Sequence, residues 1–137
     1  MGTIDLVTEI PGPGSRDLIT RKERVVADAL SLHVPAIIDR AQGASFTDVD
    51  GNTFLDFSGG LGCHIVGYSH PKVVDAVRSH ASRFSHTDFS VIPYESYVEL
   101  AERLVRLTGG GDRRVFLANS GAEAVENAVK IARVATG

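Results

Sequence analysis

The chain has 137 residues, of which 43% are hydrophobic, and carries a formal net charge of −3 with a pI near 5.9. This length suffices for one domain with an apolar core, and the mild acidity argues against a basic face for nucleic acid. No apolar stretch is long enough to span a membrane, the first ten residues lack the pattern of a signal peptide, and Cys63 is the single cysteine. We therefore expect a cytoplasmic protein in a reducing compartment, without membrane or nucleic-acid partners.

The N-terminal third contains an arm, a helix and a hairpin. Residues 1–16 include "PGPGS", whose prolines and glycines predict an extended arm, and residues 17–31 have a partial helical pattern. The stretch "ASFTDVDGNTFLDFS" at 44–58 predicts a β-hairpin, because polar and apolar residues alternate on both sides of its centre. Asp50 and Gly51 are expected to supply the positive backbone angles of a tight turn.

The segment "GGLGCHIVGYSHP" at 59–71 is rich in glycine. Four glycines in nine residues indicate a sharp turn or a close approach of the backbone to another group. Their spacing is not that of a dinucleotide fingerprint. Pro71 suits the first turn of a following helix, with Ser69 or His70 as its cap. The buried face of that helix is predicted to contain Val73, Val74, Val77, Ala81 and Phe84.

A further helix is predicted after Pro93. It ends in the glycine triplet 109–111, where we place the boundary between two domains. Its buried face is predicted to contain Tyr97, Ala101, Leu104 and Val105.

The last 23 residues read as a strand, a turn and a helix. The apolar run "VFLA" at 115–118 suits a strand buried on both faces of a parallel sheet. Residues 122–133 form an amphipathic helical pattern, with an ion pair between Glu126 and Lys130 worth about 0.3 kcal/mol. The predicted buried stripe of this helix consists of Ala122, Val125, Val129 and Ala132.

The turn "NSG" at 119–121 joins the strand to the helix. The first N–H groups of a helix have no carbonyl partners, and the helix dipole adds positive charge, so a phosphate can bind there. Gly121 permits close approach, and Ser120 provides a cap and a hydroxyl. Taken alone, these three residues fit a capped turn without a ligand better than they fit a binding site.

Other site classes are disfavoured. The histidines at 64, 70, 80 and 86 are not paired at metal-ligand spacing, so no metal site is predicted. The G-x-S-x-G pattern is absent, so Ser120 is not interpreted as a hydrolase nucleophile, and the Walker pattern for nucleotide phosphates is absent as well.

Longer stretches carry a resemblance to a known family. The segment "NSGAEAVENAVKIAR" closely resembles the cofactor-phosphate turn and first large-domain helix of class III aminotransferases, which use pyridoxal 5′-phosphate. In the same order, "GASFTDVDGNTFLDFSGGLGCHIVGYSHPKVVDAV" and "FSHTDFSVIPYESYVELAERL" resemble the family's early hairpin, glycine turn and following segment. The arm "LVTEIPGPGS" and "SHT" followed by "YE" are most similar to 4-aminobutyrate transaminases.

The resemblance implies an α/β chain of fold type I. Residues 1–16 would be the N-terminal arm, 17–111 the small-domain segment with linking helices, and 112–137 the first strand and helix of the large domain. Ser120, Gly121 and Ala122 would hold the cofactor phosphate, although some relatives have serine in place of Ala122. Leu61 would border the substrate.

The resemblance also implies an N-terminal fragment of a homodimeric enzyme. The Schiff-base lysine of the family lies downstream of the phosphate turn, and none of the three lysines here, Lys22, Lys72 and Lys130, has a matching context. No catalytic residue is therefore assigned, and the fragment alone should be inactive. The full protein would move an amino group from an ω-amino acid such as 4-aminobutyrate to 2-oxoglutarate. Ornithine or acetylornithine transaminases, and a non-catalytic remnant of the fold, remain alternatives.

Overall fold

The computed structural model describes residues 4–137. Its contacts divide the chain into two compact units, residues 1–85 and 86–137. The first contains α1 (Pro13–Val25), β1 (Ile38–Gln42), β2 (Ser45–Asp48), β3 (Thr53–Leu55), α2 (Gly59–Gly62) and α3 (Pro71–Arg83). The second contains α4 (Glu95–Leu107) and α5 (Gly121–Thr136).

The three strands form one antiparallel sheet in the order β1-β2-β3. The predicted hairpin is confirmed as β2 and β3, with Phe46 opposite Phe54 and the two rings stacked at 4.9 Å. Gly51 has a positive φ of 91°, but Asp50 does not, so that part of the prediction is wrong. The Asp48 carbonyl accepts from the Gly51 N–H at 3.1 Å, and the Asp48 N–H donates to the Asn52 carbonyl at 2.9 Å, which closes a three-residue loop. A hairpin loop of this length needs one left-handed residue, which here is Gly51.

Helix α1 begins at Pro13, inside the segment predicted to be extended, and ends at Val25. Proline is tolerated at the first helical position because its missing N–H has no partner there in any helix. The cap comes from the hairpin turn, where the Asp50 carboxylate accepts from the N–H groups of Gly14 at 2.6 Å and Ser15 at 2.9 Å. A Cβ on Gly12 would overlap the Asp50 side chain, so glycine is required at that position.

The interior of the first unit is polar. The buried side chains include Ser15, Asp48 and Asn52, and no hydrophobic residue between 4 and 137 is buried. Asn52 joins the N-terminal arm to the hairpin: its amide oxygen accepts from the Val7 and Thr8 N–H groups, both at 2.9 Å. Its amide nitrogen donates to the Thr8 hydroxyl and to the Asp48 carboxylate, both at 2.8 Å.

The helix faces that were predicted to be buried differ in how far the structure buries them. The four residues named for α4 are each half-buried, as expected. On α3 the prediction is wrong for all but the half-buried Val74, and on α5 the whole predicted stripe is exposed. These faces are apolar by sequence, but the packing of the described elements leaves them without a covering surface.

Residues 115–118, predicted to be a strand, are not one in the structure. A buried parallel strand requires neighbouring strands, and no strand is assigned among residues 86–137. Instead, the Leu117 N–H donates to the Tyr97 hydroxyl at 3.0 Å. Among the helices of residues 4–137, none is both long and apolar enough to cross a bilayer.

Candidate functional site

The glycine segment contains a single left-handed turn. The residues of α2, Gly59, Gly60, Leu61 and Gly62, have φ values of 53°, 57°, 55° and 83°. Left-handed helical geometry costs an L-residue roughly 1–2 kcal/mol, which explains why three of the four are glycine. Leu61 is the exception, with ψ at 50° and its side chain 89% exposed.

The Asp56 carboxylate holds this turn through five hydrogen bonds. One oxygen accepts from the Ser58 hydroxyl at 2.5 Å, the Ser58 N–H at 2.8 Å and the Gly59 N–H at 3.0 Å. The other accepts from the Tyr68 hydroxyl at 2.7 Å and the Gly60 N–H at 3.1 Å. The hydroxyls of Ser58 and then Tyr68 hold the pKa of Asp56 well below its usual range, so it is ionised at neutral pH. Because it donates to Asp56, Tyr68 has a raised pKa.

The other end of the loop is fixed to the β1–β2 turn. Tyr68 and Gly43 exchange two backbone hydrogen bonds, at 2.8 and 3.0 Å. A Cβ on Gly67 would lie 2.9 Å from the Gly43 carbonyl oxygen, and Gly67 has a positive φ of 82°. The sequence-based expectation of a sharp turn or a close backbone approach is therefore confirmed on both counts. An open hollow of about 370 Å³ lies along this loop and is lined in part by Asp56, His64 and Tyr68.

The predicted phosphate turn starts α5. Ser120 is the N-cap, as predicted, and its hydroxyl oxygen accepts from the Glu123 N–H at 3.2 Å. The Glu123 carboxylate in turn accepts from the Asn119 N–H at 2.7 Å, which resembles a capping box. The predicted Glu126–Lys130 ion pair is present at 2.6 Å.

The residues of this turn fit a bound phosphate. Within residues 4–137, the N–H groups of Gly121 and Ala122 have no hydrogen-bond acceptor. A Cβ on Gly121 would meet no atom within 4 Å, so the space beside the helix start is open. Two free backbone donors, the Ser120 hydroxyl and the positive end of a 16-residue helix are groups of the kind that can hold a phosphate dianion.

The two predicted parts of the site belong to different units. Leu61 lies in the unit of residues 1–85 and Ser120, Gly121 and Ala122 in the unit of residues 86–137. No group of three or more potential metal-ligating side chains is found among the described residues. The roles of Leu61 and of the phosphate turn remain predictions.

The Asp56 network was missed by the sequence analysis. A signal for it exists in "DFS", where an aspartate two residues before a serine, followed by glycines, favours a side-chain-capped turn. The partner Tyr68 is twelve residues away and carries no comparable local signal.

Known proteins with similar sequences include several aminotransferases. The sequence profile of the family "Aminotransferase class-III" matches residues 26–136. A 4-aminobutyrate aminotransferase of Mycobacterium tuberculosis is 51% identical over 133 residues, which are 96% of this chain and 30% of the relative. The 5-aminovalerate aminotransferase DavT of Pseudomonas aeruginosa is 41% identical over 124 residues, 90% of this chain and 29% of that protein.

The solved structure of another aminotransferase is also similar to this chain. An ornithine aminotransferase of Toxoplasma gondii, with partial occupancy of pyridoxal phosphate at its active site, superposes with a TM-score of 0.78 at 30% identity. The match covers 87% of this chain and 27% of that one. The chain therefore spans about 30% of the length of the curated relatives it matches.

Proposed function

Because this chain belongs to the class III aminotransferases, we propose that it is the N-terminal part of an enzyme that moves an amino group from 4-aminobutyrate to 2-oxoglutarate. The observation that carries the choice of donor is the 51% identity, over 96% of the chain, to a 4-aminobutyrate aminotransferase. The predicted fold class is confirmed, since the structural neighbours are class III aminotransferases of fold type I. The family depends on pyridoxal 5′-phosphate, which supplies the aldehyde that takes up the amino group and the electron-withdrawing ring.

In this proposal the start of α5 binds the cofactor phosphate. The N–H groups of Gly121 and Ala122 would donate hydrogen bonds to phosphate oxygens, and the Ser120 hydroxyl would donate one as well while its oxygen still accepts from the Glu123 N–H and caps the helix. The binding is by backbone rather than by a cationic side chain. Fixing the phosphate orients the whole cofactor, and this is the contribution of the turn to catalysis.

Leu61 is assigned to the substrate side of the site. A 4-aminobutyrate molecule has two charged ends joined by methylene groups, and an exposed aliphatic side chain is suited to pack against the methylenes. Leu61 has no polar group with which to recognise either charge. Since none of the three lysines of this chain has the context of the family's Schiff-base lysine, the catalytic lysine and the group that binds the donor carboxylate are expected outside residues 1–137.

We further propose a cytoplasmic homodimer. The segment "SHTDFSVIPYE" contains Phe89 and Tyr94, which form an aromatic cluster with Tyr97 of α4: Phe89 stacks on Tyr97 at 4.1 Å and meets Tyr94 edge-on at 5.4 Å. Aromatic side chains are enriched in the cores of interfaces, which supports an interface role for this segment. Equilibrium sedimentation of the full-length protein should give a dimer mass at micromolar concentration, and an active monomer would refute this assignment.

The test uses the full-length protein loaded with pyridoxal phosphate. Glutamate formation from 2-oxoglutarate is measured with 4-aminobutyrate, 5-aminovalerate, ornithine and N-acetylornithine as donors. We expect the highest kcat/KM with 4-aminobutyrate. The second candidate donor is 5-aminovalerate, favoured by the 41% identity to DavT; one methylene discriminates by about 10- to 200-fold at most.

Three outcomes would contradict the proposal. A preference for ornithine or N-acetylornithine would assign the chain to another branch of the family. Bound cofactor without turnover of any donor would identify a non-catalytic remnant, and so would a coding sequence that ends before a lysine in the family context.

A further inference from the structure

Leu61 has a left-handed backbone conformation, which its glycine neighbours adopt freely but which leucine adopts only at an energetic cost. Gly60, with φ and ψ of 57° and 38°, has no Cβ to clash in the left-handed region, whereas Leu61 at 55° and 50° does. Ser69 is the other described non-glycine residue with positive φ. Such outliers persist where the surroundings hold them in place, and they are concentrated at functional sites.

What holds Leu61 is a set of bonds that do not involve its own side chain. Asp56 accepts from the backbone on the N-terminal side of Leu61, at Ser58, Gly59 and Gly60. The Tyr68 hydroxyl donates to the same carboxylate from the other end of the loop. Tyr68 is itself fixed to Gly43 by its backbone and lies against the His64 ring at 4.2 Å.

The left-handed turn determines where the Leu61 side chain lies. If residue 61 relaxed to a right-handed or extended conformation, its Cβ would move to a different direction from the backbone. A residue that packs against substrate methylenes acts only at the right distance, because dispersion contacts weaken within 1 Å of added gap. The hydrogen bonds to Asp56 thus set the contact between Leu61 and the substrate, although Asp56 itself does not make that contact.

We propose that Asp56 and Tyr68 are positioning residues that hold Leu61 in its left-handed conformation and thereby set its contact with the amino donor. The inference rests on the proposed function, in which Leu61 borders the donor. It extends that function by assigning donor fit to a hydrogen-bond network behind the contacting side chain.

The test compares Tyr68→Phe, Leu61→Gly and the double variant in the full-length holoenzyme. Tyr68→Phe keeps the ring and removes one donor to an ionised carboxylate, so we expect KM for 4-aminobutyrate to rise about tenfold. Since saturating donor compensates for weaker binding, kcat should change by less than about twofold. In the Leu61→Gly background, Tyr68→Phe should have no further effect, because glycine needs no support in the left-handed region.

A second readout does not depend on activity. Amide hydrogen exchange of a peptide covering residues 58–62 should become faster in Tyr68→Phe and in Asp56→Asn, because both weaken bonds to the turn. The matched control is Asp39→Asn, which removes a carboxylate charge from β1, where Asp39 pairs with Arg40 at 3.2 Å. Exchange at residues 58–62 and KM should both be unchanged in this control.

The outcomes separate this inference from the proposed function. If the parent enzyme is active and Tyr68→Phe raises KM equally in the Leu61 and Leu61→Gly backgrounds, the two sites are independent and positioning is refuted. Unchanged KM and unchanged exchange in Tyr68→Phe also refute it. If the parent instead prefers another donor, the proposed function fails, and the same double-variant comparison on that donor still decides the positioning role.

Discussion

Asn52→Ala tests whether the polar cluster stabilises the first unit. Asn52 is fully buried, at 0% exposure, and its side chain makes four hydrogen bonds, to the Val7 and Thr8 N–H groups, the Thr8 hydroxyl and Asp48. At about 0.5–1.5 kcal/mol net for each bond, the four bonds contribute about 2–6 kcal/mol; because water that enters the space can replace part of them, removing all four should cost about 2–4 kcal/mol. This is a large part of the stability of an ordinary domain.

The measurement is amide hydrogen exchange in the full-length protein. The Thr53 N–H is a suitable reporter, because it bonds to the Asp5 carbonyl at 2.6 Å and makes no bond to the Asn52 side chain. A loss of 2–4 kcal/mol corresponds to exchange faster by about 30- to 1000-fold. The control is Asn127→Ala, which removes one amide bond to the Glu123 carbonyl on α5 and should leave Thr53 unaffected. A change at Thr53 below about threefold in Asn52→Ala would refute the reasoning.

Three further predictions concern the phosphate turn, the glycine loop and the isolated chain. Ser120→Ala should weaken pyridoxal phosphate binding about ten- to hundredfold, Gly121→Val should weaken it more, and Ala122→Ser should be mild; cofactor absorbance during titration of the apo-protein measures this. Because the space at Gly121 is open, the melting temperature of the apo-protein should be unchanged by Gly121→Val; equal cofactor affinity in that variant would place the phosphate elsewhere. The depressed pKa of Asp56 means that its stabilisation is complete above about pH 5 and is lost as pH falls towards the folded-state pKa; as pH is lowered from 5, exchange at residues 58–62 should become faster relative to the intrinsic exchange rate at each pH, and this effect should be smaller in Asp56→Asn. The 137 residues alone, with apolar faces exposed on α3 and α5, should be poorly soluble and melt without cooperativity; a sharp two-state transition of a monomer would contradict this.

The features that sequence predicted correctly are those determined within a few residues. The hairpin follows from alternation and from Gly51, and the cap of α5 follows from Ser120 directly before a helical pattern. The half-buried face of α4 follows from its spacing. In each case the signal and the structure occupy the same short stretch.

The features that were missed depend on distant partners. The capping of α1 by Asp50 joins residues 36 apart, and the Tyr68–Asp56 bond joins residues 12 apart. Strand β1 was not predicted, because its sequence "IDRAQ" has three polar residues and forms a strand through its pairing with β2. The predictions of a strand at 115–118 and of buried apolar stripes on α3 and α5 were wrong. Their sequence patterns require covering surfaces that the described residues do not provide.

The carboxylate cap on α1 restricts how this protein can vary in length. Turns of β-hairpins normally accept inserted residues with little effect, because their tips face solvent. Here the tip carries Asp50, which must reach the first N–H groups of a helix that begins 37 residues earlier, at Pro13. One added residue between Asp48 and Asn52 would displace that carboxylate while leaving both strands able to pair. In homologous sequences, a hairpin of altered length should therefore occur together with a different residue at the position of Gly12, since the close approach that excludes a side chain there would be gone.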